Sequence, residues 1–204
     1  MIPLLVSPNG LRILVFGGGA VALRKCRYFE GSDITVVAES FLPEMKDAAG
    51  TLIKESIPGD PGPMMAPYDI AVAATDNKEI NDRICGCARA LGKPVNSAHG
   101  GGTLLIPSVL RRRDYVVAVS TEGKVPAFPP FLVGELDRML GPGYDRIMDL
   151  LKELRRISKE QIPRQEDRQA FLERVLTDGN ILNAASEGRM SDALAAAMRS
   201  GGLQ

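Results

Sequence analysis

At 204 residues, with 45% hydrophobic and 25% charged side chains, the chain has the make-up of one globular domain plus a smaller one. Its 25 basic and 25 acidic residues cancel, which argues against a nucleic-acid binder or a charge-driven membrane-surface protein. No apolar run reaches the roughly 18 residues of a membrane span, the N-terminal MIPLLVSPNG lacks the basic region of a signal peptide, and the 3 cysteines are odd in number, so a cytoplasmic protein is expected.

The first predicted strand is the apolar run Ile13-Leu14-Val15-Phe16. It enters Gly17, Gly18 and Gly19 and leaves as a helix over 20–30. The spacing Gly17-x-Gly19-x-x-Ala22 is a dinucleotide fingerprint with alanine in its third place. Gly17 permits the tight turn, Gly19 lets backbone approach a pyrophosphate, and Ala22 keeps the helix close to the sheet. The N–H groups and positive dipole end of that helix favour phosphate charge. A second strand over 34–38 ends at Glu39. That acid lies near the spacing of about 20 residues expected for a ribose-binding carboxylate, which favours NAD over NADP.

A third strand is predicted over 52–57. The stretch 58–67, with four prolines and two glycines, reads as an irregular loop. A strand over 70–74 follows, then a helix over 77–91 with Ile80, Ile84, Cys87 and Leu91 at helical spacing. Asp76 with Glu79 resembles a capping arrangement, and Gly92 and Pro94 mark the stop. Cys85 and Cys87, two apart on a helix, point away from each other and read as packing rather than a metal pair. A brief strand over 94–96 completes an alternating pattern, which predicts a Rossmann-type α/β domain over 1–107.

Strands at 104–106 and 115–120 then occur without helices between them, and from Phe131 the chain reads as helical. Ile147, Leu150, Leu151, Leu154 and Ile157 form one apolar stripe, and Phe171, Leu172, Val175 and Leu176 a second. Ser191 is placed as the cap of a last short helix ending before Gly201. These helices cannot bury their own stripes. The expected layout is a small α+β dimerisation region over 108–143 and a helical region over 144–204.

Four blocks resemble the precorrin-2 dehydrogenase family, the NAD-dependent module found alone or as the N-terminal part of siroheme synthase. GGGAVALRK at 17–25 is similar to the family's GGG-x-VA-x-RK, and ITVVAES at 34–40 to its second strand. AATDN at 73–77 with Asn81 is similar to AATDD…N, and VAVSTEG at 117–123 to VAVSSGG. Order and spacing agree over about residues 1–140. The resemblance implies NAD-dependent oxidation of precorrin-2 to sirohydrochlorin in siroheme formation by a homodimer, with insertion of ferrous iron in some members. It implies that Gly17, Gly19, Ala20 and Val21 contact the pyrophosphate side of NAD, Glu39 and Ser40 the ribose side, and that Thr75 and Asp76 face the cofactor. A tetrapyrrole polycarboxylate calls for cationic partners. Arg111 and Arg113 of the three-arginine run, with Ser120 and Lys124, are the candidates.

Two positions depart from the family pattern. Its Asn-x-x-Asp reads Asn96-Ser97-Ala98-His99, which places the single histidine of the chain where a carboxylate is expected, and Val125 replaces a serine. A neutral imidazole at position 99 is a candidate proton acceptor and a candidate ligand for ferrous or cobalt ion. These changes leave a second reading, a catalytically altered relative that binds NAD or tetrapyrrole as a sensor or carrier.

Overall fold

The computed structural model describes residues 1–203. The chain forms two compact units, Met1–Ile106 and Pro107–Gln204, so the stretches 108–143 and 144–204 lie in one unit.

The first unit is a parallel sheet covered on both faces. β1 (Arg12–Phe16), β2 (Asp33–Ala38), β3 (Thr51–Lys54), β4 (Ile70–Ala73) and β5 (Val95–Ser97) lie in the order β3-β2-β1-β4-β5. The helices are α1 (Ala20–Tyr28), α2 (Met45–Ala48), α3 (Gly62–Met65) and α4 (Lys78–Ala90). Successive side chains of a strand face opposite ways, and here both sides are core. Ile13 and Val15 pack with Ala22, Cys26 and Met45, while Leu14 and Phe16 pack with Met65, Ile84 and Ala88. This explains a continuous apolar run in place of alternation. The strand order reverses between β1 and β4, and ligands of such sheets bind outside the carboxyl ends at that switch point.

At the opposite edge, Arg12 and Asp69 tie the start of β1 to the start of β4. The Arg12 backbone N–H and Nε donate to Asp69 Oδ2 at 2.9 and 3.2 Å, and Nη2 donates to Oδ1 at 2.9 Å. These bonds, the side-chain ones foremost, hold the Asp69 carboxyl down at about 2.

Several boundaries differ from expectation for identifiable reasons. β3 stops at Lys54 because β2 offers no residue in register beyond Ala38. The loop at 58–67 contains α3, anchored by fully buried Met65 and opened by Asp60 Oδ1, which accepts the Gly62 N–H at 2.9 Å. The cap of α4 is Asn77, not Asp76: Asn77 Oδ1 accepts from the N–H groups of Glu79 (2.8 Å) and Ile80 (3.1 Å). The segment 104–106 is not a strand. Leu104 N–H donates to the Val95 carbonyl at 2.9 Å, but the next bond is made by the Asn96 side chain to the Leu104 carbonyl, so no ladder forms.

The second unit opens with an antiparallel pair, β6 (Ser108–Arg111) and β7 (Val116–Val119). The helices α5 (Phe128–Gln161), α6 (Gln165–Thr177), α7 (Gly179–Ser186) and α8 (Met190–Gly201) follow. Their core joins Leu150 and Leu154 of α5, Phe171 and Val175 of α6, Ile181 of α7 and Ala193 of α8. Both predicted stripes contribute, although Leu176 is exposed. α5 is interrupted at Gly141 (φ 49°, ψ −171°), just before Pro142. α8 begins at Met190, one residue before Ser191, and has no side-chain cap. Among the described residues no helix is long and apolar enough to cross a membrane.

Candidate functional site

The glycine turn between β1 and α1 sits at the carboxyl edge of the sheet. Gly17 has φ 119°, and a Cβ there would lie 2.4 Å from the Ala74 carbonyl oxygen, so only glycine fits. Gly18, to which the fingerprint assigns no duty, is equally constrained. A Cβ on it would lie 1.9 Å from the Ser40 carbonyl oxygen, and the Gly18 carbonyl accepts the Leu42 N–H at 3.0 Å. The chain after β2 is thereby folded onto the turn, which brings Glu39 and Ser40 beside it.

Gly19 differs. Its backbone is extended (φ −90°, ψ −172°), and a Cβ there would meet nothing within 4 Å. It precedes a helix with no side-chain cap, which leaves the first-turn amides around Ala20 and Val21 without a side-chain acceptor. Ala20 and Val21 are exposed while Ala22 is fully buried. An open glycine, an uncapped helix start and no acidic residue in its first turn fit a diphosphate.

The β4 end supplies Thr75 and Asp76. The Thr75 hydroxyl lies 2.8 Å from Asn81 Oδ1 and 3.0 Å from the Asn77 carbonyl and shares its one proton between them, so this side chain is engaged within the fold. Asp76 is exposed and, among the described residues, makes no side-chain hydrogen bond. The β5 end supplies His99, which is exposed. Its Nδ1 lies 2.7 Å from Nδ2 of fully buried Asn81, and the His99 backbone N–H donates to Ser97 Oγ at 3.3 Å. The following glycine loop is held against the sheet by Arg89, which donates to the Gly101 carbonyl. Thr103 Oγ1 accepts the Val95 N–H at 3.0 Å.

The structure therefore brings Gly17, Gly19, Ala20, Val21, Glu39, Ser40, Thr75, Asp76 and His99 to the carboxyl side of one sheet. Asn81, which links Thr75 to His99, belongs with them. The sequence singled it out only as part of a motif.

The expected substrate residues lie in the second unit. Arg111 is exposed at the end of β6 and, among the described residues, has no ion-pair partner. Arg113 is already committed: Nε pairs with Asp114 at 2.8 Å, and Nη2 donates to Asp149. Both carboxylates raise its pKa further. Arg112 pairs with Asp137 at 2.5 Å. Arg113, a candidate for the substrate carboxylates, ties the β6–β7 turn to α5 through these pairs. Ser120 Oγ accepts the Glu122 N–H at 3.0 Å, and the turn closes through Thr121, which exchanges bonds with Val125. Lys124 is exposed on that turn.

Among the described residues no group of three or more His, Cys, Asp or Glu is placed to hold a metal ion. The three cysteines are free. Burial pushes the Cys26 thiol up to about 11, so it packs rather than reacts.

Residues 4–104 match the family described as "Putative NAD(P)-binding", and residues 143–200 match the "Sirohaem synthase dimerisation region". The precorrin-2 dehydrogenase of Methanosarcina barkeri is 30% identical over 196 residues, which cover 91% of this chain and 87% of that protein. The siroheme synthase of Chromobacterium violaceum is 31% identical over 191 residues, but the chain spans only 40% of its length. Among solved structures, SirC, a precorrin-2 dehydrogenase, superposes with a TM-score of 0.74 at 20% identity, covering 98% of this chain and 100% of that one. With a nicotinamide-type cradle on the sheet edge and this likeness over nearly the whole chain, the protein belongs to the precorrin-2 dehydrogenase family.

Proposed function

We propose that the chain oxidises precorrin-2 to sirohydrochlorin with NAD, as a step toward siroheme. The observation that carries this reading is the cradle at Gly17–Gly19: two glycines are demanded by the fold, and the third is left open before an uncapped helix. When bound, the nicotinamide supplies the acceptor for a hydride, and the proton released from the macrocycle passes to solvent. The chain's own part is to bind and orient. Gly19 admits the diphosphate, and the amides of Ala20 and Val21 donate to its oxygens. Glu39 accepts from the ribose hydroxyls and repels a 2′-phosphate, which selects NAD over NADP. Ser40 lies beside it, and Asp76 faces the cofactor from the end of β4. For the substrate carboxylates, Arg111, Ser120 and Lys124 are assigned as partners.

The matched dimerisation region supports a homodimer, as do the exposed apolar side chains of Phe128, Phe131 and Met139. Free thiols and a neutral charge balance support a cytoplasmic location.

The test is anaerobic incubation of the protein with precorrin-2 and either NAD or NADP, following sirohydrochlorin absorbance. Product with NAD, and slower formation with NADP, is the expected result. Tight NAD binding without product would instead support the sensor or carrier reading. Ferrous iron added to the same reaction tests sirohydrochlorin as a chelation substrate.

A further inference from the structure

Every hydrogen-bonding position of the buried Asn81 amide is in use. Oδ1 accepts from the Thr75 N–H at 3.1 Å and from the Thr75 hydroxyl at 2.8 Å. Nδ2 donates to the Thr75 carbonyl at 2.9 Å, and its second proton is directed at His99 Nδ1, 2.7 Å away. A backbone N–H only donates and a backbone carbonyl only accepts, so Thr75 fixes which end of the amide is nitrogen. Nδ1 of His99 therefore receives a proton and does not carry one. In the neutral ring the proton sits on Nε2.

We propose that His99 is a hydrogen-bond donor, set in its tautomer by Asn81, whose Nε2–H engages a carboxylate oxygen of the tetrapyrrole. This rests on the dehydrogenase reading above. It replaces the expectation that His99 takes up a proton or ligates a metal ion. Both of those roles need an available ring lone pair, and the one lone pair is aimed at the Asn81 amide. Using it breaks that bond and sets an N–H against an NH₂ group. A carboxylate side chain at position 99 would accept from Asn81 and turn a second acceptor outward; the imidazole accepts from Asn81 and turns a donor outward. A polycarboxylate substrate is a natural partner for that donor. Asn81 is accordingly a positioning residue.

Because the chain has a single histidine, the test is unambiguous. Long-range 1H–15N correlation spectra of 15N-labelled protein at slightly alkaline pH are expected to show a bare Nδ1 and a protonated Nε2. The opposite tautomer would overturn the proposal. Titration with sirohydrochlorin is expected to shift the Nε2 signal, and an unmoved signal would overturn the contact. In turnover, His99→Ala is expected to raise KM for precorrin-2 about tenfold with little change in kcat, and His99→Gln, which keeps a donor, to recover most of that loss. A base would show a fall in kcat of about a hundredfold in both variants, which would contradict the donor role. Absence of NAD-dependent product from the wild-type protein would defeat the dehydrogenase reading alone, since the spectra decide the tautomer and the contact without turnover.

Discussion

At Gly17 a Cβ would collide with the Ala74 carbonyl, whereas at Gly19 it would meet open space. Single substitutions separate the two duties. Gly17→Ala is expected to lower Tm by at least about 5 °C, because both its φ and its contact must change. Gly19→Val, in an extended backbone that any residue adopts, is expected to leave Tm within about 2 °C and raise KM for NAD at least about tenfold. Thermal unfolding and NAD titration of the two variants check this, and an equal loss of Tm in both would refute the division. The sequence made Gly17, Gly19 and Ala22 legible because their duties are local. The constraint on Gly18 comes from Ser40, 22 residues on, and is visible only once β2 lies beside β1. His99 stood out as the lone histidine, but its tautomer depends on how an amide on α4 is oriented.

Among elements, the parallel sheet was readable from strand–helix alternation, while errors gathered where two similar residues compete or where a remote partner decides. Asp76 and Asn77 are both capping types, and the helix takes the second. The three-arginine run announced charge but not its targets. Asp137 and Asp149 come within reach only because α5 packs on the hairpin. The Gly141-Pro142-Gly143 sequence, which breaks α5, was an available signal that the apolar stripe overshadowed. One element-level contact makes a pH prediction. The Asp69 carboxyl titrates lower in the folded protein, at about 2, than in the unfolded chain. Its link to Arg12 therefore stabilises fully above the unfolded value of about 3.9 and is lost as pH falls through about 2. Asp69→Asn is expected to lower Tm at neutral pH and to flatten the fall of Tm between about pH 4 and pH 2. An acid limb as steep as that of the wild type would contradict the assignment.

For the whole molecule, apolar patterning exceeded what the two units bury. The rings of Phe128 and Phe131 lie 6.3 Å apart, tilted at 44°, yet remain exposed, as does Met139. A homodimer that covers them is expected in light scattering, and Phe131→Glu is expected to shift it toward monomer; a wild-type monomer would remove the subunit interface from the account. Catalysis differs from storage of NAD or tetrapyrrole in turning over. The most direct measurement is an anaerobic reaction with precorrin-2 and NAD in large excess over protein, recording sirohydrochlorin and NADH together. Many equivalents of sirohydrochlorin per protomer, matched one for one by NADH, are predicted. Product that stops at or below one equivalent, or that forms without NADH, would contradict the account.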